Sequence, residues 1–132
     1  MTAVGAHPGQ AVTAVSVIVP TLRRPDGLAR AVVSLAAQTG LGDRKVEIIV
    51  VDNAPEGGAT VPALPEAGGR ISVRLVHEPR MGVATARNAG LDEARGDVIG
   101  FLDDDCTAPP DWLASRLAGL EATGADAVFG PR

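Results

Sequence analysis

Short apolar runs that stop at polar residues, with helically spaced segments between them, constrain this chain more than any other feature. Ala14 to Val19, Val46 to Val51 and the run opening at Val98 are too short for helices and too continuously apolar for strands wetted on one face. They suit strands buried on both sides of a parallel sheet. Ser72 to His77 reads as a further strand, and Ala125 to Phe129 as the last. Pro20, with no N–H to give a ladder, is expected to stop the first strand. Gly27 to Gln38 carries Leu28, Ala31, Val32, Leu35 and Ala36 at helical spacing, with Asp26 as the N-cap and Gly40 beyond the end. Val83 to Ala94 predicts a second helix. A third starts at Pro109-Pro110-Asp111 and runs to about Thr123, with Trp112, Leu113, Leu117 and Leu120 on one face.

Strands alternating with helices imply right-handed βαβ units and a mostly parallel, Rossmann-like α/β sheet with helices on both faces. Such sheets bind ligands outside the C-terminal strand ends, where the strand order reverses. The polar residues there are Thr21, then Asp52 and Asn53, then Asp103 to Asp105. Between Ala54 and Arg70 the chain is rich in Gly and Pro, and a loop that long in a compact domain is usually functional or disordered. Residues 1–13 read as a flexible N-terminal tail and 14–132 as one domain.

Composition excludes several functions. A net charge of −4 and a pI near 5.0, with dispersed arginines, argue against nucleic-acid binding. The aromatics are Phe101, Trp112 and Phe129 alone, too few for a stacking platform. The single cysteine, Cys106, has no partner for a disulfide or a zinc site, which fits a cytoplasmic protein. No stretch approaches the length of a membrane span, so an integral segment is not expected.

The run Val98-Ile99-Gly100-Phe101-Leu102 ends in Asp103-Asp104-Asp105. Three adjacent carboxylates at a sheet rim repel one another unless a cation or donors come to them, and hard oxygen ligands point to Mg²⁺ or Mn²⁺. The alternative is a solvated acidic turn before the next helix. A dinucleotide site would need a glycine fingerprint after the first strand, where Pro20-Thr21-Leu22-Arg23 stands instead. A phosphoacceptor receiver domain suits the length and Asp52, but lacks an acidic pair after the first strand.

Four pieces in order are recognisable: Val15-Ser16-Val17-Ile18-Val19-Pro20-Thr21, Ile48-Ile49-Val50-Val51-Asp52-Asn53, Gly82 to Ala86 with Arg87-Asn88-Ala89-Gly90, and Phe101-Leu102-Asp103-Asp104-Asp105. Together they resemble the family 2 inverting glycosyltransferases of GT-A fold, over residues 14 to 130, the N-terminal half of a typical member. The resemblance implies a nucleoside diphosphate sugar as donor, UDP-sugar favoured, and an unidentified acceptor hydroxyl. It assigns Asp52 to the nucleobase, Pro20 and Thr21 to the loop lining the base, Arg87 and Asn88 to the helix start near the nucleotide, and Asp103 to Asp105 to the DXD-type motif. Within that motif Asp104 faces the ribose and Asp105 holds Mn²⁺ or Mg²⁺.

Each residue also has a plainer role: Asp52 as the start of an Asx-turn, Arg87 as a solvated charge, Asn88 as a loop hydrogen-bonder, Cys106 as a small buried filler, Trp112 as helix packing. His77 is assigned no role. The family's catalytic base is expected beyond residue 132, so no catalytic residue is assigned in this chain. The other function class is a noncatalytic nucleotide-binding or assembly module. An incomplete sheet leaves an edge, which predicts a homodimer, and a cytoplasmic site of action peripheral to a membrane is expected.

Overall fold

A computed structural model describes residues 2–3, 12–62, 70–123 and 128–129. In chain order the elements are β1 (Thr2–Ala3), β2 (Ala14–Thr21), α1 (Pro25–Ala36), β3 (Lys45–Asp52), β4 (Ile71–His77), α2 (Val83–Glu93), β5 (Val98–Phe101), α3 (Trp112–Thr123) and β6 (Val128–Phe129). Strands β2 to β5 form one sheet in the order β4-β3-β2-β5, and every pairing in it is parallel. The chain therefore builds outward from β2 through β3 to β4, then crosses back to place β5 on the other side of β2. That reversal puts the switch point between β2 and β5, at the strand ends that carry Thr21 and the acidic run.

The alternation along β2 explains how helices cover both faces. Val15, Val17 and Val19 join Val46, Ile48 and Val50 in a core under α1 and α3, with Leu28, Val32, Leu35, Leu113, Leu117 and Leu120. Ile18 points the other way, with Ile49 and Val51, toward Ala86 of α2. α2 approaches closely at Gly90, where an added Cβ would lie 2.5 Å from Ile18 Cγ2. A side chain there would hold the helix off the sheet.

Several boundaries differ from the sequence expectation. β2 runs through Pro20 to Thr21 rather than stopping at Val19. Ile18 O accepts from Leu102 N, so the alternate residue Pro20 directs its missing N–H to the same side, past the last β5 pairing at Phe101. No ladder bond is lost there. The N-cap of α1 is Arg24, not Asp26, which sits in the first turn; Pro25 at the helix start has no N–H to be capped. α3 begins at Trp112, after the expected Pro-Pro-Asp start.

The expected flexible tail contains β1, which pairs antiparallel with β6. At its other end Val12 is buried: its N–H donates to Glu121 at 2.7 Å and its carbonyl accepts from Arg44 Nε at 3.1 Å. The irregular stretch after β3 is confirmed over 54–62 and at Arg70, while residues 63–69 within it and residues 125–127 of the last expected strand lie outside the described residues.

Candidate functional site

Beyond the C-terminal ends of β2 and β5 lies an open cleft of about 510 Å³. One wall is the acidic loop after β5, with Asp103, Asp104 and Asp105; the floor is Pro20, Thr21 and Leu22; the far wall is Met81, Gly82, Val83 and Ala86 with Arg87. Asn53 also lines it, and Arg24 stands at the edge shared with a smaller cavity.

The aspartates are not equivalent. Asp104 is buried, and its Oδ2 accepts from Thr21 Oγ1 at 2.8 Å, a bond across the switch point. Asp103 and Asp105 are exposed on either side of it. Each faces an arginine at long range: Arg87 Nη2 is 3.8 Å from Asp103 Oδ1, and Arg24 Nη1 is 3.9 Å from Asp105 Oδ2. Arg87 is further held over the Phe101 ring, 5.5 Å from its centroid. The acidic loop is seated on α1 by a glycine. A Cβ on Gly27 would lie 2.6 Å from the Asp104 carbonyl oxygen.

One oxygen each from Asp103 and Asp105 and the Cys106 sulfur lie within 4.8 Å of one another. Two exposed carboxylates this close fit a hard divalent cation. The thiol suits it less: burial first, then its hydrogen bond to Asp105 and the nearby carboxylate charges, push the Cys106 pKa up, which keeps it protonated. Cys106 is half-buried rather than the buried filler expected. Trp112 packs in the core under α1.

Asn53 holds the far wall. Its Nδ2 donates to the carbonyls of Glu78 and Arg80, both at 2.9 Å, and its Oδ1 accepts from Gly82 N at 2.9 Å. One buried amide thus fixes the turn that carries Met81 and Gly82 into the cleft.

Of the expected site residues, Pro20, Thr21, Arg87, Asp103, Asp104 and Asp105 meet in the cleft. Asn88 does not; it is exposed on α2 and lines neither cavity, because it follows Arg87 by one residue and turns to another side of the helix. Asp52 lies in the neighbouring cavity of about 150 Å³, which shares Thr21 and Arg24 with the cleft. Sequence reasoning missed Arg24, Leu22, Met81 and Val83. Arg24 had a local signal, a cation between a strand end and a proline-led helix; the three apolar residues had none.

An open parallel sheet with an acidic cleft at its switch point defines a Rossmann-like α/β domain. The chain belongs to glycosyl transferase family 2, whose family model matches residues 16–132. It is 41% identical over 114 residues to the succinoglycan biosynthesis protein ExoM of Rhizobium meliloti, covering 84% of this chain and 36% of that protein. It is 30% identical to the glycosyltransferase AglE of Haloferax volcanii, covering 88% of this chain and 38% of the relative. The chain thus spans little more than a third of these relatives.

Among solved structures, the mannosyltransferase PcManGT of Pyrobaculum calidifontis, in complex with GDP-Man and Mn²⁺, superposes with a TM-score of 0.66 at 26% identity, over 89% of this chain and 34% of that one. TarS of S. aureus superposes with a TM-score of 0.62 at 22% identity, over 80% of this chain and 19% of that one. The fold is that of the GT-A glycosyltransferases. Among the described residues no helix is long and apolar enough to cross a membrane.

Proposed function

We propose that this chain forms the donor-binding part of an inverting glycosyltransferase that transfers a sugar from a nucleoside diphosphate sugar to an acceptor hydroxyl. The observation that carries the proposal is the cleft at the β2/β5 switch point, with paired exposed carboxylates on one wall and arginines at both ends. Asp103 and Asp105 would hold Mn²⁺ or Mg²⁺, which when bound stabilises the charge that develops on the departing diphosphate. The chain's own residues do the rest of the donor work. Thr21 fixes the Asp104 carboxylate and leaves its second oxygen for a sugar or ribose hydroxyl. Arg87 and Arg24, each only loosely paired, are cations available to diphosphate oxygens. The wall of Met81 and Val83 supplies an apolar surface, since both side chains are exposed.

Asp52 reads the nucleobase through a ring N–H, and a single N–H donor suits a UDP-sugar. Inverting transfer is a single displacement in which a carboxylate deprotonates the acceptor, and that base is assigned to no residue described above. The proposal extends to a cytoplasmic site of action peripheral to a membrane, and to self-association through a sheet edge. Calorimetric titration of UDP, GDP and dTDP, with and without Mn²⁺, tests it on the wild type and on Asp105→Ala. Metal-dependent binding of one diphosphate, weakened at least tenfold in the variant, is expected. Absence of binding by all three to the folded chain refutes it.

A further inference from the structure

Asp52 stands at the end of β3 with 2% of its surface exposed, and both carboxylate oxygens are already engaged. Oδ1 accepts from Ala54 N and Oδ2 from Ala59 N, each at 3.0 Å. The segment between those amides turns through Gly57 and Gly58, at φ of 70° and 93°, and folds back over the carboxylate. With the segment in this position almost none of the Asp52 surface is open to solvent. The small cavity beside it is walled by that segment on one side and by Arg23, Arg24 and Pro25 on the other.

The two sides are joined at the rim. Arg23 forks onto Glu56, Nε to Oε2 at 2.7 Å and Nη2 to Oε1 at 2.6 Å. Arg23 holds this geometry with φ of 53°, the one positive value at a non-glycine residue among those described. An L-residue with a Cβ adopts that conformation rarely, and strain of this kind persists where surrounding contacts impose it. His77 adds a hinge-side contact, its Nε2 lying 2.8 Å from Ala54 O. The base of the segment is therefore pinned to β4, and its tip is held by the ion pair, by the turn bond from Gly57 N to Ala54 O at 3.0 Å and by the Ala59 amide, with Ala59 itself packed against the core.

We infer that residues 54–60 form a latched cover over Asp52, closed by the Arg23–Glu56 fork, and that the cover must open before a nucleobase ring N–H can reach the carboxylate. The identity of the ligand rests on the donor-site proposal; the cover does not. A half-exposed ion pair at a loop tip contributes modestly, so the cover opens readily and responds to salt.

Amide hydrogen exchange followed by NMR tests the cover directly on the wild type, Glu56→Gln and Arg23→Lys. Exchange at Ala59 is expected to rise about two- to fivefold in Glu56→Gln, and to rise in Arg23→Lys, which keeps the charge but loses the fork. Amides in β2 and β3 serve as the reference and stay unchanged. Unchanged exchange at Ala59 in both variants overturns the latch.

Stopped-flow binding of UDP with Mn²⁺ tests the opening step. The association rate is expected to rise by the same factor in Glu56→Gln, with Ala59 losing its protection in the wild-type complex. If UDP binds while Ala59 stays protected and the rate is unchanged, the cover is wrong and the donor proposal stands. If no diphosphate binds, the donor proposal fails, and the exchange data alone decide the latch.

Discussion

Gly27→Ala is the most discriminating single change, because the same substitution at Gly119 should have the opposite effect. Gly27 is the third residue of α1, and its added Cβ would stand 2.6 Å from the Asp104 carbonyl oxygen, a backbone atom that cannot rotate away. Real Cβ contacts do not fall below 3.0 Å, so the acidic loop or the helix must retreat by about 0.4 Å, and by about 0.8 Å to reach ordinary contact. The loop is tied at Leu102 N to Ile18 O, 3.0 Å, and at Thr21 Oγ1 to Asp104 Oδ2, 2.8 Å. The displacement therefore falls on the carboxylates themselves.

Overpacking of this kind costs about 1–3 kcal/mol, and the better helix propensity of alanine offsets about 0.5–1 kcal/mol of it. A net loss of roughly 0.5–2 kcal/mol is expected in urea unfolding, with the slope unchanged. Metal-dependent diphosphate affinity should fall by about tenfold, because ligand groups misplaced by less than an ångström lose their geometry. Gly119, exposed in α3 with no atom of the described residues within 4 Å of its Cβ position, should gain about 0.5–1 kcal/mol on becoming alanine. A Gly27→Ala protein as stable as the wild type, with unchanged affinity, would refute the seating of the acidic loop on α1.

Thr21→Val keeps the shape but strips the buried Asp104 of its donor, so stability should fall by about 1–3 kcal/mol, read by thermal or urea unfolding. Asn53→Ala removes three hydrogen bonds to the 78–82 turn and should cost about 2–4 kcal/mol, with proteolysis detecting a loosened turn first. Acid should destabilise the end of the sheet away from the cleft. Glu47 is held below its ordinary pKa even though burial alone would raise it, because Ser16, the Arg95 amide and Arg74 all donate to its carboxylate. Asp97 is lowered by Thr13, chiefly through its hydroxyl, and by the Ala14 amide. Both depressed carboxyls contribute stability above their unfolded pKa values, and that contribution disappears as pH falls through the lower folded ones. Unfolding free energy followed from neutral to strongly acidic pH should therefore decline below the ordinary carboxylate range, and less so in Glu47→Gln.

The sheet, the three helices and the acidic rim were legible in the order of residues because each rests on a local pattern. VEIIVV can be little but a strand buried on both faces, and Leu28, Ala31, Val32 and Leu35 fall on one side of a helix whatever lies beneath. Alternation of such segments implies parallel pairing, and parallel pairing brings Thr21, Asp52 and Asp103 to Asp105 to one rim. Boundaries set by tertiary partners were not legible. Pro20 stays in β2 because β5 has already ended beside it, a fact about a residue more than eighty positions away.

Local sequence thus determined which elements form and which end of the sheet carries the polar groups. Only the tertiary structure divided those groups. It put Asp52 under its own loop, sent Asn88 to solvent, brought Arg24 to the cleft edge and made Asn53 the brace of its far wall. The physical reason is that burial and hydrogen-bond partners depend on distances between segments 25 to 83 residues apart in sequence, as with Asn53 to Glu78 and Thr21 to Asp104, and no periodicity within a segment encodes them.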